Sequence, residues 1–174
     1  MGIAGIGNFS NTLLILWATQ AFSHHYGLTK GAVFAMLFYV GYNIVYTISC
    51  YVSGNFADRF PKRWVLAIGY VIAIIPAIAL MLPGDSFVKF AVVFGFSGLY
   101  MGVWETLESA TAAVLLPSSI RGTGFGILAT VNGVGDLISS IVVGCFWGAS
   151  PILAMSFVVI TSLIGAGIIA STSI

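Results

Sequence analysis

Three carboxyl side chains, Glu105, Glu108 and Asp136, lie inside long apolar stretches of this chain. An ionisable group at the centre of a membrane helix costs about 2.5–3.5 kcal/mol on insertion scales. At roughly 1.5 Å per helical residue, Glu105 stands about 15 Å from the end of its stretch at Leu115, and Asp136 about 21 Å into its own. Glu108 is one turn nearer that end. A carboxyl held away from water can load and release a proton, so the chemistry these acids offer is a proton or substrate-cation site. The structural alternative is a neutral acid, or an ion paired with Arg121 near the boundary. A second group, Tyr39, Tyr42, Asn43 and Tyr46, follows an i, i+3, i+4, i+7 spacing that puts all four on one helical face. With Asn11 and Asn132 they make a candidate lining for an aqueous cavity, or hydrogen-bonding glue between helices.

Other chemistries find less support. Gly95-Phe96-Ser97-Gly98 is similar to the serine motif of rhomboid intramembrane proteases, but a serine nucleophile needs a histidine base within reach. The two histidines, His24 and His25, sit together before the second apolar segment and far from Ser97 in sequence. Adjacent histidines point apart on most backbones, and no cysteine or carboxylate cluster accompanies them. No enzyme activity, metal or cofactor is expected.

These groups must be positioned by elements suited to lipid. Of 174 residues, 59% are hydrophobic and 6% charged, and the mean hydropathy is +1.08. A soluble domain carries roughly 25% charged residues to solvate its surface. A net charge of +1 gives no footprint for nucleic acid. Cys50 and Cys145 fall in apolar runs and read as small buried hydrophobes.

Breaks at charges, prolines and glycines leave six segments near the ~20 residues that cross hydrocarbon, at approximately 2–22, 31–53, 64–83, 87–115, 122–147 and 151–170. The expected connections are HHYGLTK, the charged run around 54–63, PGDS, PSSIRG and GASP. The result is an all-α membrane protein, a single six-helix transmembrane domain in the lipid bilayer, since open sheet cannot satisfy its backbone in lipid. Arg59, Lys62, Arg63 and Arg121 fall in connections on one side, and Lys30 and Lys89 on the other. The excess of positive charge places the first side, and both termini, in the cytoplasm. Polar residues concentrate in the first, second, fourth and fifth segments, while the third and sixth are bland. That order suggests a three-plus-three inverted repeat, a plan that recurs in secondary transporters. Gly98/Gly102, Gly122/Gly126 and Gly144/Gly148 have the spacing that lets membrane helices approach closely.

The run GNFADRFPKR, with Gly54, Asp58, Arg59, Lys62 and Arg63, resembles the loop motif Gly-x-x-x-Asp-Arg-x-x-(Lys/Arg) of the major facilitator superfamily. Pro61 stands where that family usually has glycine. LPSSIRGTGFG, with Pro117, Arg121, Gly122 and Thr123, is similar to the loop before the fifth helix of its C-terminal half. GNFS at 7–10, NIVYTISCYVSG at 43–54 and GLYMGVWETLES at 98–109 resemble further helices of bacterial members, with Ser109 where relatives often place arginine.

The resemblance implies a rocking-switch carrier in a bacterial cytoplasmic (inner) membrane, with this chain as helices seven to twelve. Its partners would be a small-molecule solute and a missing N-terminal six-helix half or a second copy of itself. It also implies a latch, in which Asp58 meets a helix N-terminus or Arg121 and stabilises one state of alternating access. The alternative is a non-transporting scaffold or an inactive fragment.

Overall fold

A computed structural model describes residues 11–171. Among them are six α-helices: α1 (Asn11–Tyr26), α2 (Leu28–Arg59), α3 (Lys62–Met81), α4 (Phe87–Leu115), α5 (Arg121–Ala149) and α6 (Pro151–Ser171). A single 3-10 turn, Ser118–Ile120, precedes α5, and no strand occurs among the described residues. Leu28–Arg59, Phe87–Leu115 and Ser118–Trp147 are each long and apolar enough to cross a membrane, and Ala67–Met81 and Leu153–Ile164 are shorter apolar helices. The outer surface is apolar: Met36, Val40, Ile44 and Ile48 on α2 and Ile127, Val134, Leu137 and Ile141 on α5 are all exposed. This is an all-α membrane protein.

The helices run further than the charges and glycines suggest. The charged run is mostly helical, because Gly54 to Arg59 form the last turns of α2 and only Phe60 and Pro61 separate α2 from α3. Charge does not break a helix, whereas proline pushes the residue before it into extended backbone, and Phe60 adopts φ −122° and ψ 155°. HHYGLTK likewise shrinks to Gly27, whose φ of 81° lies in the region glycine adopts without steric cost. GASP shrinks to Ser150. The α3–α4 connection is the most elaborate. Lys89 Nζ donates to the Leu82 and Gly84 carbonyls, each at 2.8 Å, and lies 5.3 Å from the Trp17 ring centroid. Ser86 caps α4 by accepting from the Lys89 N–H at 3.2 Å.

Helix α2 lies along α4, and glycine sets how closely. A Cβ added at Gly98 would stand 2.6 Å from the Tyr42 carbonyl oxygen, and one at Gly102 2.6 Å from Ser49 Cβ and 2.8 Å from the Tyr46 carbonyl oxygen. Ser49 Oγ then donates across the seam to the Leu99 carbonyl at 2.7 Å. The rising pairs 42–98, 46–102 and 54–106 show that α2 and α4 run parallel. Helix α1 packs on α2, α3 packs on both α4 and α6, and α5 leans on α6 while touching α4 only lightly. Aromatic packing anchors one end of the bundle, with Phe22 tilted against Phe87 and Phe90 at centroid distances of 4.6 and 5.0 Å and Phe38 stacked on Phe94 at 5.8 Å.

The glycine pairs are not equivalent. Added Cβ atoms at Gly122, Gly126 and Gly144 meet nothing within 4 Å, and Gly148 lies outside the side chains described. Gly126→Ala is therefore expected to leave thermal stability unchanged or raise it by about 0.5–1 kcal/mol through helix propensity, as read by unfolding in detergent. The cysteines also differ from expectation. Cys50 is half-buried and Cys145 is exposed, because α5 turns much of its apolar side outward.

Candidate functional site

Three hydrogen bonds connect the polar residues of four helices. Asn11 Nδ2 on α1 donates to Tyr42 Oη on α2 at 3.1 Å. Tyr46 Oη on α2 donates to Glu105 Oε2 on α4. Asn132 Nδ2 on α5 donates to Glu108 Oε2 on α4 at 2.5 Å. Since Glu105 and Glu108 are one turn apart on α4, these bonds form a polar seam from α1 through α2 and α4 to α5.

Local structure explains how each side chain arrives there. On α2, Tyr39, Tyr42 and Tyr46 stack as a column, with centroid distances of 5.6 and 6.3 Å and interplanar angles of 12° and 3°. The 3.6-residue period makes that column, and the close α2–α4 approach at Gly98 and Gly102 lets its hydroxyl ends reach α4. Tyr42 is buried and Tyr39 and Tyr46 are half-buried. Asn43 departs from the expected face. It is exposed, and its Nδ2 donates to the Tyr39 carbonyl of its own helix at 2.7 Å.

The acids sit in different settings. Glu105 is half-buried and held by a phenol. Glu108 is 6% exposed, and its Oε1 has no hydrogen-bond partner. An ion pair with Arg121 was one alternative open to Glu108, but Arg121 is exposed at the start of α5, and it is Asn132 that bonds Glu108. The physical reason is depth: Arg121 and Asn132 are eleven residues apart on one helix, about 16 Å along its axis. Asp136 is half-buried one turn beyond Asn132 and close enough to Tyr100 and Glu108 to act on both electrostatically.

The bland third segment contributes more than its composition suggested. Tyr70 of α3 is buried against Trp104 at 5.5 Å and Tyr100 at 6.2 Å, and its hydroxyl has no partner. Ser139 Oγ on α5 is also buried and unpartnered. The available signal for Tyr70 was a phenol within a run of aliphatic residues, because a buried tyrosine usually needs a partner for its hydroxyl.

The charged-run residues lie away from this seam. Gly54 faces Thr106 Cγ2 at an ordinary contact distance of 3.8 Å for an added Cβ. Asp58 and Arg59 are exposed in the last turn of α2, where the positive Arg59 suits the negative end of the helix dipole. Lys62 and Arg63 open α3, and their side chains lie outside those described. Among the described residues Asp58 makes no ion pair with Arg121. His24 and His25 are exposed at the end of α1, and no group of three or more potential metal ligands occurs among the described residues.

A lipid-facing helical bundle with buried polar groups shared among four helices has the build of a membrane transport protein. The sequence matches the profile of the Major Facilitator Superfamily over residues 1–140. The chain therefore belongs to the major facilitator superfamily, a family of transporters rather than of enzymes. It is also similar to an uncharacterised transporter of the major facilitator type from Methanocaldococcus jannaschii, with 27% identity over 148 residues. That alignment covers 84% of this chain and 36% of the relative, so the chain spans about a third of the length of the curated relative it matches. No solved structure matches it.

Proposed function

We propose that the chain is one six-helix bundle, built on a three-plus-three inverted plan, of a proton-coupled secondary transporter that moves a small solute by alternating access. The second bundle is a further six-helix segment or a second copy. The observation that supports this reading is the polar seam Asn11–Tyr42, Tyr46–Glu105 and Asn132–Glu108, which draws on the four helices with polar sequences. Two of its members, Glu105 and Glu108, are carboxyls within one apolar helix, a costly arrangement that a structural bundle has no need for. In this reading Glu105 is the coupling acid, Tyr46 positions it, and Glu108 and Asp136 are its neighbours. The basic residues Arg59, Lys62, Arg63 and Arg121 hold their ends on the cytoplasmic side, with both termini there in an inner membrane. Asp58 acts as part of a latch on one state.

Cysteine accessibility tests the reading against a scaffold with no aqueous cavity. Cys50→Ala and Cys145→Ala remove the native thiols, and single cysteines then replace Tyr39, a half-buried member of the tyrosine column, and Asp136. The carrier predicts that a membrane-impermeant thiol reagent labels both, and that transported solute protects them. Two unreactive cysteines would sink the carrier and leave the scaffold.

A further inference from the structure

Glu108 and Asn132 share more than the bond between them. Asn132 Nδ2 donates to Glu108 Oε2 at 2.5 Å, and each side chain keeps one buried oxygen without a partner, Glu108 Oε1 and Asn132 Oδ1. An ionised carboxylate and an amide oxygen are both acceptors, so these two atoms cannot satisfy one another. A buried acceptor left unpaired destabilises the fold. One proton on Oε1 would resolve both. A carboxylic acid and a primary amide can then close a ring of two hydrogen bonds, Nδ2–H to Oε2 and Oε1–H to Oδ1.

Acids and phenols lie around the pair. Glu105 lies one turn away on the same helix, and Tyr100 of α4, Asp136 of α5 and Tyr70 of α3 are close enough to interact with Glu108 electrostatically. Tyr46 of α2 reaches the neighbouring Glu105.

We infer that Glu108 and Asn132 form a proton-binding clasp between α4 and α5. Loaded, the clasp has two hydrogen bonds; unloaded, it has one, with the two buried acceptors left unpaired. Loading adds one proton to Oε1 and unloading returns it to water, with no other bond made or broken. Because α5 otherwise touches α4 only lightly, the state of the clasp governs how firmly α5 is held to α4. The idea deepens the carrier reading and rests on it for its role in transport, though the chemistry of the pair stands alone.

Distance measurements on the full chain in lipid nanodiscs test it. Spin labels replace Val114 on α4 and Ile127 on α5, which are 75% and 62% exposed, in a background lacking the native cysteines. The expected result is a label separation that lengthens as pH rises through one protonation. Glu108→Gln keeps both bonds without a titrating proton, because its amide donates to Asn132 Oδ1, so its separation should stay short at every pH. Asn132→Leu should stay long at every pH. Infrared spectra should show a protonated-carboxyl band that titrates with the distance and is missing in Glu108→Gln. A separation insensitive to pH in the unmodified pair overturns the clasp, as does one that still moves with pH in Glu108→Gln. The two ideas fail separately: unreactive cavity cysteines beside a pH-sensitive distance sink the carrier and uphold the clasp, while solute-protected cysteines beside a fixed distance do the reverse.

Discussion

Gly102→Leu should separate α2 from α4 and destroy the centre of the bundle. The cause is backbone proximity rather than side-chain crowding. Even a lone Cβ at this position would stand 2.8 Å from the Tyr46 carbonyl oxygen and 2.6 Å from Ser49 Cβ, and neither belongs to the far end of a flexible side chain. Overpacking a well-filled interior costs typically about 1–3 kcal/mol, so Gly102→Ala should lose stability in that range. Leucine adds three further carbons in the same direction and can be accommodated only by moving a whole helix. That motion would also break the Ser49 bond to the Leu99 carbonyl and withdraw Tyr46 from Glu105. Thermal unfolding in detergent reads the result: a large drop or failure to fold for Gly102→Leu, a modest drop for Gly102→Ala, and no drop for Gly126→Ala, whose Cβ meets open space. Equal tolerance at Gly102 and Gly126 would show that close approach at Gly102 does not hold α2 to α4.

The contrast between those glycines marks where the sequence stops being readable. Both pairs carry the same small-xxx-small spacing, and nothing local distinguishes Gly98/Gly102 from Gly122/Gly126. Which pair meets a neighbouring backbone depends on how the helices are arranged in space. The helices themselves were legible, because a chain with 6% charged residues leaves few places for its breaks. Their ends were less so. Asp58 and Arg59 looked like loop because they are charged, yet only Pro61 stops the helix, since it alone lacks the N–H and restricts its neighbour. The candidate site was legible as a set of helices and not as a set of contacts. Polar composition picked out the first, second, fourth and fifth segments, and the structure joins those four. The pairings Tyr46–Glu105 and Glu108–Asn132 span 59 and 24 residues, so no periodicity could reveal them. Asn43 shares the period of the tyrosine column but lies at its edge, where its short side chain returns to its own backbone.

Glu105→Gln is expected to abolish pH-gradient-driven transport by the assembled carrier while leaving solute exchange without a gradient. Glutamine matches glutamate in size and can still accept from Tyr46 Oη, so the α2–α4 seam should remain. What disappears is the group that takes and gives a proton. In reconstituted vesicles the gradient-driven rate should fall by at least about tenfold, roughly 1.4 kcal/mol in the driving step. Tyr46→Phe supplies the control. It keeps the carboxyl and removes only its donor, a hydrogen bond worth about 1.5–3 kcal/mol when one partner is charged. The pH dependence should therefore survive in Tyr46→Phe with a reduced rate, whereas Glu105→Gln should be insensitive to pH. If gradient-driven transport persists undiminished in Glu105→Gln, Glu105 is not the coupling acid. Glu108 would then be the next acid to test, because it is the more deeply buried of the two and its Asn132 partner lies on a different helix from Tyr46.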